Sequence, residues 1–529
     1  MSYLKFERAL VTNLEESLSR ELLRTNRSGA YSCSTIVDCN TRKYHGLLVV
    51  PVPELDNENH VLLSSLDVTV VQHGADFNLG LHRYQGNHFS PNGHKYIHAF
   101  NCDKVPTTIY RVGGVILRRE VVFQHYEDRI LIRYTLVDSH SETKLRLRPF
   151  LAFRSVKEFT HANGVANHNY QMVDGGICTC LYAGYPNLYL QFDKPNEFIY
   201  QPDWYRDIEY AKERERGYDS TEDLYVPGYF ELDIKKGESV VFSASTSEIE
   251  PATLHDLFAK EVAERTPRDN FFHCLVNAAH QFHIHEKNGD RYILAGYPWF
   301  KCRARDMFIA LPGLTLSINE RDYFELVMET AMRGLQEFMA GQPLSVKIAE
   351  IEQPDVMLWA VWCIQQYAKD AGLKACQSRY GELLHAILSF IESGHHPHLT
   401  LKENGLVYTE GHEKPMTWMN SMADGHPIVP RSGYIVEFNA LWYNALKFSA
   451  EMAALIHDEA EEKRLDNLAM RCQQAFVSCF VNEYGYLFDY VDEGPQDWSV
   501  RPNMIFAIAL DYSPLNQQQK KSVLDVCTR

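Results

Sequence analysis

Two stretches of this 529-residue sequence gather side chains suited to chemistry. The first is Gly296-Tyr297-Pro298-Trp299-Phe300, followed by Lys301-Cys302-Arg303-Ala304-Arg305-Asp306 and an apolar run to Gly313. A Gly/Pro/aromatic turn there delivers an Arg-Asp pair to the start of a helix, where the backbone dipole favours an acid. Asp306 either meets a ligand from that position or serves the first-turn amides and Arg303. The second stretch is Met416-Thr417-Trp418-Met419-Asn420-Ser421-Met422-Ala423-Asp424. It is followed by Pro430-Arg431-Ser432-Gly433 and by Val436-Glu437-Phe438-Asn439-Ala440-Leu441-Trp442. Glu437 and Asn439 stand two apart and diverge on a helix, so one can face a cleft while the other braces the loop. Tryptophan platforms among Asp, Glu, Asn and Arg are the chemistry of sugar recognition. The apolar face of a sugar ring stacks on the aromatic, and its hydroxyls take planar donors and acceptors. Cleaving a glycosidic bond further requires an acid for the leaving oxygen and a base across the ring, roughly 6.5–9.5 Å apart if configuration inverts. Asp306, Asp355, Glu410, Glu413, Asp424 and Glu437 are the acids near these loops.

Other chemistries lack an anchor. The sequence holds no G-x-G-x-x-G, Walker loop, H-E-x-x-H or G-x-S-x-G, so dinucleotide, nucleotide-triphosphate, zincin and serine-hydrolase readings fall away. His280, His283 and His285 are spaced by three and two, which cannot place all of them on one helix face, and they read as a polar helix end. His395, His396 and His398 lack an acid or Cys at ligand spacing. No metal and no cofactor is expected. The twelve Cys are scattered without a C-x-x-C, which indicates free thiols and a reducing compartment.

A formal charge of −17 repels phosphate backbones and anionic lipid, so neither nucleic acid nor membrane is the expected partner, and a neutral polyhydroxylated ligand suits the surface. Acids stand among the apolar residues of the first 23 positions, so a secretory signal is not expected, and no apolar run approaches the roughly 18 residues of a membrane span. The expected location is the cytoplasm. Oligomeric state is not legible, since neither heptads nor an isolated apolar patch stands out.

The elements that must position these residues change character along the chain. Up to about residue 245 the pattern is β. Val115–Phe123, Arg129–Val137, Lys144–Arg148 and Leu188–Phe192 read as strands, and Ser139–Glu142 as a hairpin turn between the second and third. A helix around Leu14–Arg24 reads as a lead-in. After Pro251 the apolar period becomes helical. Phe271, Phe272, Leu275, Val276, Ala279 and Phe282 share one face, as do Phe324 to Phe338 beyond an Asn319 cap. Further helices are expected near 303–317, 354–371, 376–393, 437–457, 460–480, 501–511 and 514–527, roughly nine in all. The connection 394–435, rich in His, Gly, Pro and Trp, far exceeds the usual length between bundle helices and marks itself as a carrier of function.

At these residues the chain resembles the bacterial and archaeal glycogen debranching enzyme family, the amylo-α-1,6-glucosidase type. Asn40-Thr41-Arg42-Lys43-Tyr44-His45-Gly46-Leu47-Leu48 is similar to that family's N-T-R-[RK]-Y-H-G-L-L. Trp204-Tyr205-Arg206, Glu215-Arg216-Gly217 and Glu222-Asp223-Leu224 resemble a second block. Gly296–Gly313, Asp355 with Leu358-Trp359, Thr417-Trp418-Met419 and Pro430–Leu446 follow in the family's order. The resemblance implies a multidomain α and β protein. An N-terminal antiparallel β-supersandwich would span 1–248, a linker 249–268, and an (α/α)6 glucosidase toroid 269–529, incomplete at its C-terminal end. It implies hydrolysis of α-1,6 branch points in limit-degraded glycogen or a related branched α-glucan, with inversion and without cofactor. It also implies that Trp299, Arg305, Asp306, Asp355, Trp418, Arg431, Asn439 and Trp442 bind substrate near Glu437.

Two departures qualify the picture. Asn420 stands where many members of the family have Asp, at the position assigned to the general acid. An amide cannot donate that proton, so either Asp424 or Glu437 substitutes or activity is weak. About twelve helices make the toroid, and the family's H-x-G-T-V-W-P-W segment is absent. Alternatives are therefore another toroid-class α-glucan hydrolase of glucoamylase type, a glucan-binding protein without catalysis, and a scaffold without a ligand.

Overall fold

Alternation of apolar and polar residues dictates the first part of the chain, because a strand that alternates buries one face and needs a second layer to cover it. The computed structural model describes residues 3–528 and divides into two units, Met1–Glu286 and Lys287–Arg529. In the first, nine antiparallel strands run from Lys5–Glu7 at one edge through Val115–Phe123, Arg129–Asp138 and Ser239–Ser245 to Tyr170–Val173 at the other. Ten more form a second antiparallel sheet, from Glu21–Thr25 through Asn59–Gln72, Thr143–Ser155 and Thr221–Ile234 to His88–Asn92. Inward residues of both, among them Leu63, Leu117, Ile132, Leu147, Phe230 and Phe242, make one buried core.

Two local expectations are overturned. Arg129–Asp138 and Thr143–Ser155 do not form a hairpin. The former pairs with Val115–Phe123 and Ser239–Ser245, the latter with Asn59–Gln72 and Thr221–Ile234, so the short link between them crosses from one sheet to the other. Short loops join hairpins and sheet crossings alike, and sequence spacing does not separate the two. The lead-in helix is also wrong in its second half. Only Arg8–Val11 and Leu14–Ser17 are helical, and Glu21–Thr25 pairs as a strand with Tyr31–Thr35, tertiary pairing overriding local propensity.

The second unit is helical. Ala304–Leu314, Arg321–Met339, Val356–Ala371, Leu373–Glu392, Val436–Leu455, Glu459–Phe480 and Gln517–Cys527 are its longer helices among the described residues. Phe271–Gln281 falls in the first unit. Asn319 is not the cap of Arg321–Met339. It takes a left-handed conformation (φ 64°) that ends the turn Leu316–Ile318, a geometry Asn tolerates. Val356–Ala371 packs on Leu373–Glu392 across the single residue Gly372, and Val436–Leu455 packs on Glu459–Phe480. Helix Val436–Leu455 is apolar nearly all round, as a central helix must be, and also packs on Val356–Ala371. Its first turns are buried on every side. The polar residues there, Glu437, Asn439 and Asn444, therefore have to find protein partners. All twelve cysteines are unpaired thiols, and no helix among the described residues is long and apolar enough to cross a membrane.

Candidate active site

The Gly296–Phe300 turn closes tightly, with the Trp299 and Phe300 amides both donating to the Gly296 carbonyl, and it leaves Trp299 47 % exposed. The chain then enters helix Ala304–Leu314 with Arg305 turned inward and Asp306 outward, one residue and about 100° apart. Arg305 grips Asp355 with two hydrogen bonds, Nε to Oδ2 at 2.7 Å and Nη2 to Oδ1 at 2.8 Å. The Trp359 indole N–H donates to the same Oδ2 at 3.1 Å. All three are buried. This fork locks the start of helix Ala304–Leu314 to the start of helix Val356–Ala371, so Arg305 and Asp355 act as a brace under the exposed Asp306.

The second constellation centres on Arg431, which is fully buried and would be intolerable without counter-charges. It has two. Its Nη atoms reach both Glu437 oxygens at 2.5 and 2.6 Å, while Nε and Nη2 reach Asp489 Oδ2 and Oδ1 at 2.8 and 3.0 Å. Asp489 also accepts from Arg501 at 2.6 Å and from Asn503 Nδ2 at 2.7 Å. The Asn503 amide is thereby oriented with its oxygen toward Trp418, whose indole N–H donates to it at 2.8 Å. A chain of hydrogen bonds thus runs from Glu437 through Arg431, Asp489 and Asn503 to Trp418, whose side is 49 % exposed. Burial pushes the Glu437 carboxyl above the usual carboxylate range against the pull of Arg431, and the Asp489 charge adds to the rise. A raised carboxyl is what a general acid needs, yet both Glu437 oxygens are spent on Arg431 and the residue is sealed from solvent.

Asn439 and Trp442 serve another face of the same helix. Asn439 Oδ1 accepts from the Val407 amide at 2.8 Å, and its Nδ2 donates to the Val407 and Ile435 carbonyls at 3.0 Å each. Trp442 donates its only N–H to the Gly405 carbonyl at 3.1 Å. Both side chains are 0 % exposed. Their polar atoms hold the segment Gly405–Val407 to the helix, and no hydrogen remains for a sugar hydroxyl. The two constellations meet at the segment following Arg501. Trp359 packs edge-on against Phe506 at 5.3 Å, three residues beyond Asn503, and Asn444 bonds Gln365 at 2.9 Å.

Asn420 lies exposed two residues past Trp418. Asp424 sits at the tip of the hairpin Met422–Ala423 with His426–Pro427. Asp424 and Gly425 both have positive φ, 51° and 82°, the mirror-image turn for which Asp-Gly is the preferred pair. The turn itself thus accounts for an Asp at this place. Asp489, Arg501 and Asn503 went unrecognised in the sequence. Asp489 carried the one available signal, an acid amid Leu487-Phe488 and Tyr490-Val491, which is the pattern of a buried charge that must have a partner.

Two family models match the chain. The one described as glycogen debranching enzyme N terminal covers residues 20–241, and the one described as amylo-alpha-1,6-glucosidase covers 276–529. A solved structure of a bacterial glucoamylase complexed with acarbose is similar with a TM-score of 0.48 and 10 % identity, over 94 % of this chain and 72 % of that one. No curated protein is significantly similar in sequence. Matched in order by the two halves of one family, this chain belongs to the glycogen debranching enzyme family.

Proposed function

We propose that the chain is a glycoside hydrolase that removes α-1,6-linked glucose from branched α-glucan. The observation that carries this reading is Trp418, a half-exposed indole fixed through Asn503 to a buried ion cluster. A ring so held is a rigid platform for a sugar face, ordered before the ligand arrives. Trp299 and Asp306, exposed on the neighbouring motif, are the further contacts in this proposal. Arg305, Asp355, Arg431, Glu437, Asn439 and Trp442 position those contacts without touching the sugar. Asp424 is the carboxyl closest in sequence to Asn420 and is the proposed proton donor. The toroid of helical hairpins and a cytoplasmic location belong to the same proposal. The test is glucose release from phosphorylase-limit dextrin against release from linear α-1,4 oligosaccharides. Preference for the dextrin supports debranching, and preference for the linear substrate assigns a glucoamylase-like activity instead.

A second reading has its own observation. Asn420 offers an amide where the resemblance expects a carboxyl, and an amide can hydrogen-bond a sugar but cannot protonate a leaving group. Glucan binding without turnover, with turnover gained in Asn420→Asp, would replace hydrolysis by binding alone.

A further inference from the structure

Within the first unit a cleft of about 190 Å³ lies between strand Glu21–Thr25, the segments around Lys104–Pro106 and Val121–Phe123, and residues 264–281. Arg24, Arg27, Lys104, Arg265 and Arg268 line it, with Glu264 as its one acid. In a chain of formal charge −17, five cations against one acid reverse the average of the molecule. They form one electrostatic group. Arg265, which bonds Glu261 at 2.9 Å, feels both Arg27 and Arg268, and the Cys102 thiol feels both Arg268 and Arg24. Burial and the neighbouring Arg265 and Arg27 drive His125, also on the lining, down to about 3, so it stays neutral.

Arg24 is the telling member. Its Nε is buried without a hydrogen-bond partner. Asp38, the acid whose charge it feels, is bonded at 2.6 Å to Arg119 instead. Burial, with the Arg119 charge beside it, lowers the Arg24 guanidinium to about 10 against the pull of Asp38. Arg431, by contrast, is bonded directly to two carboxylates. A guanidinium whose buried Nε has no acceptor, set beside four further cations, carries a cost that Asp38 offsets only in part. An anion supplied from solution removes that cost. Guanidinium forks match oxyanions in two-pronged fashion, and a single carboxylate would leave most of the five cations uncompensated. The volume lies below the roughly 300 Å³ at which drug-sized pockets begin, which limits the occupant to one small anion.

We propose that this cleft binds a phosphate group, either as inorganic phosphate or as the phosphomonoester of a small sugar. The site is independent of the glucan reading above. The experiment is titration calorimetry of the full chain, at fixed ionic strength, with inorganic phosphate, a hexose 6-phosphate and the neutral hexose. Saturable binding of the phosphate probes is expected, with none of the neutral sugar. Tighter binding of the hexose phosphate assigns the cleft to a phosphosugar, and equal affinity assigns it to the free anion. Arg24→Met should weaken binding about tenfold or more. It should also raise the Tm in phosphate-free buffer, since a buried donor without an acceptor is gone, and abolish the phosphate-dependent rise in Tm. Lys104→Ala, at a half-buried position outside the core, should weaken binding without altering the phosphate-free Tm. Absence of saturable binding, affinities unchanged in both variants, or a lower phosphate-free Tm in Arg24→Met would overturn the proposal.

Discussion

The long connection between helices Leu373–Glu392 and Val436–Leu455 is tied down in two places by tryptophan, and the two ties differ. At Gly405–Val407 the loop is clamped by Trp442 and Asn439, whose side chains vanish into the core. At Thr417–Ser421 the tie runs the other way. Trp418 belongs to the loop, its N–H is held by buried Asn503, and half of its ring stays at the surface. The same donor thus fastens a loop in one region and fixes a platform in the other. Residue type does not assign the role, because what decides it is which partner is buried.

Substitutions can sharpen or break this contrast. The largest effect is expected at the cluster behind the platform. Arg431→Met strands Glu437 as a buried uncompensated charge and leaves Asp489 to Arg501 and Asn503, and should cost about 3–5 kcal/mol in denaturant unfolding of the helical unit. Asn439→Ala leaves the Val407 amide and carbonyl unsatisfied and should cost about 2–3 kcal/mol, with little change in glucan affinity of the folded protein. Trp418→Ala should do the opposite. Covering a half-exposed indole with a sugar stabilises by about 1.5 kcal/mol, so glucan affinity should drop roughly tenfold, while stability moves by less than about 0.5 kcal/mol. Equal stability losses in Asn439→Ala and Trp418→Ala would erase the distinction between the two ties.

The smallest effect concerns the start of the connection. His396 is buried against the Phe338 and Phe390 rings and its Nδ1 accepts from the His398 amide, so burial lowers its pKa to about 4. The unfolded chain binds the proton first as pH falls below the ordinary 6.5 of histidine, so the native state loses stability between about 6.5 and 4, by at most about 1.4 kcal/mol per pH unit. Unfolding of His396→Leu across that range should lack this slope, and an undiminished slope would remove His396 from the account.

Legibility in the sequence followed the reach of each signal. Helical periodicity placed Val356–Ala371 and Val436–Leu455 within a residue or two, because the pattern is local. Strand pairing is not local, and Arg129–Asp138 and Thr143–Ser155 look like a hairpin until their partners in separate sheets are known. The site divided in the same way. Arg305, Arg431, Trp418 and Asn439 stand in dense motifs and were legible as a group, whereas their individual duties depend on partners 32 to 85 positions away, such as Val407 for Asn439, Asp355 for Arg305 and Asn503 for Trp418. Asp489 and Asn503 lie outside any motif, and only the fold brings them to Arg431 and Trp418.

Glucose release from phosphorylase-limit dextrin by the unaltered chain, Trp418→Ala and Trp442→Phe, measured side by side with their Tm values, tests the central claim most directly. The account predicts that the unaltered chain releases glucose, that Trp418→Ala loses about tenfold or more in kcat/KM at unchanged Tm, and that Trp442→Phe lowers Tm while its folded fraction keeps kcat/KM. Release by Trp418→Ala at the unaltered rate, or loss of kcat/KM in Trp442→Phe alone, would contradict it.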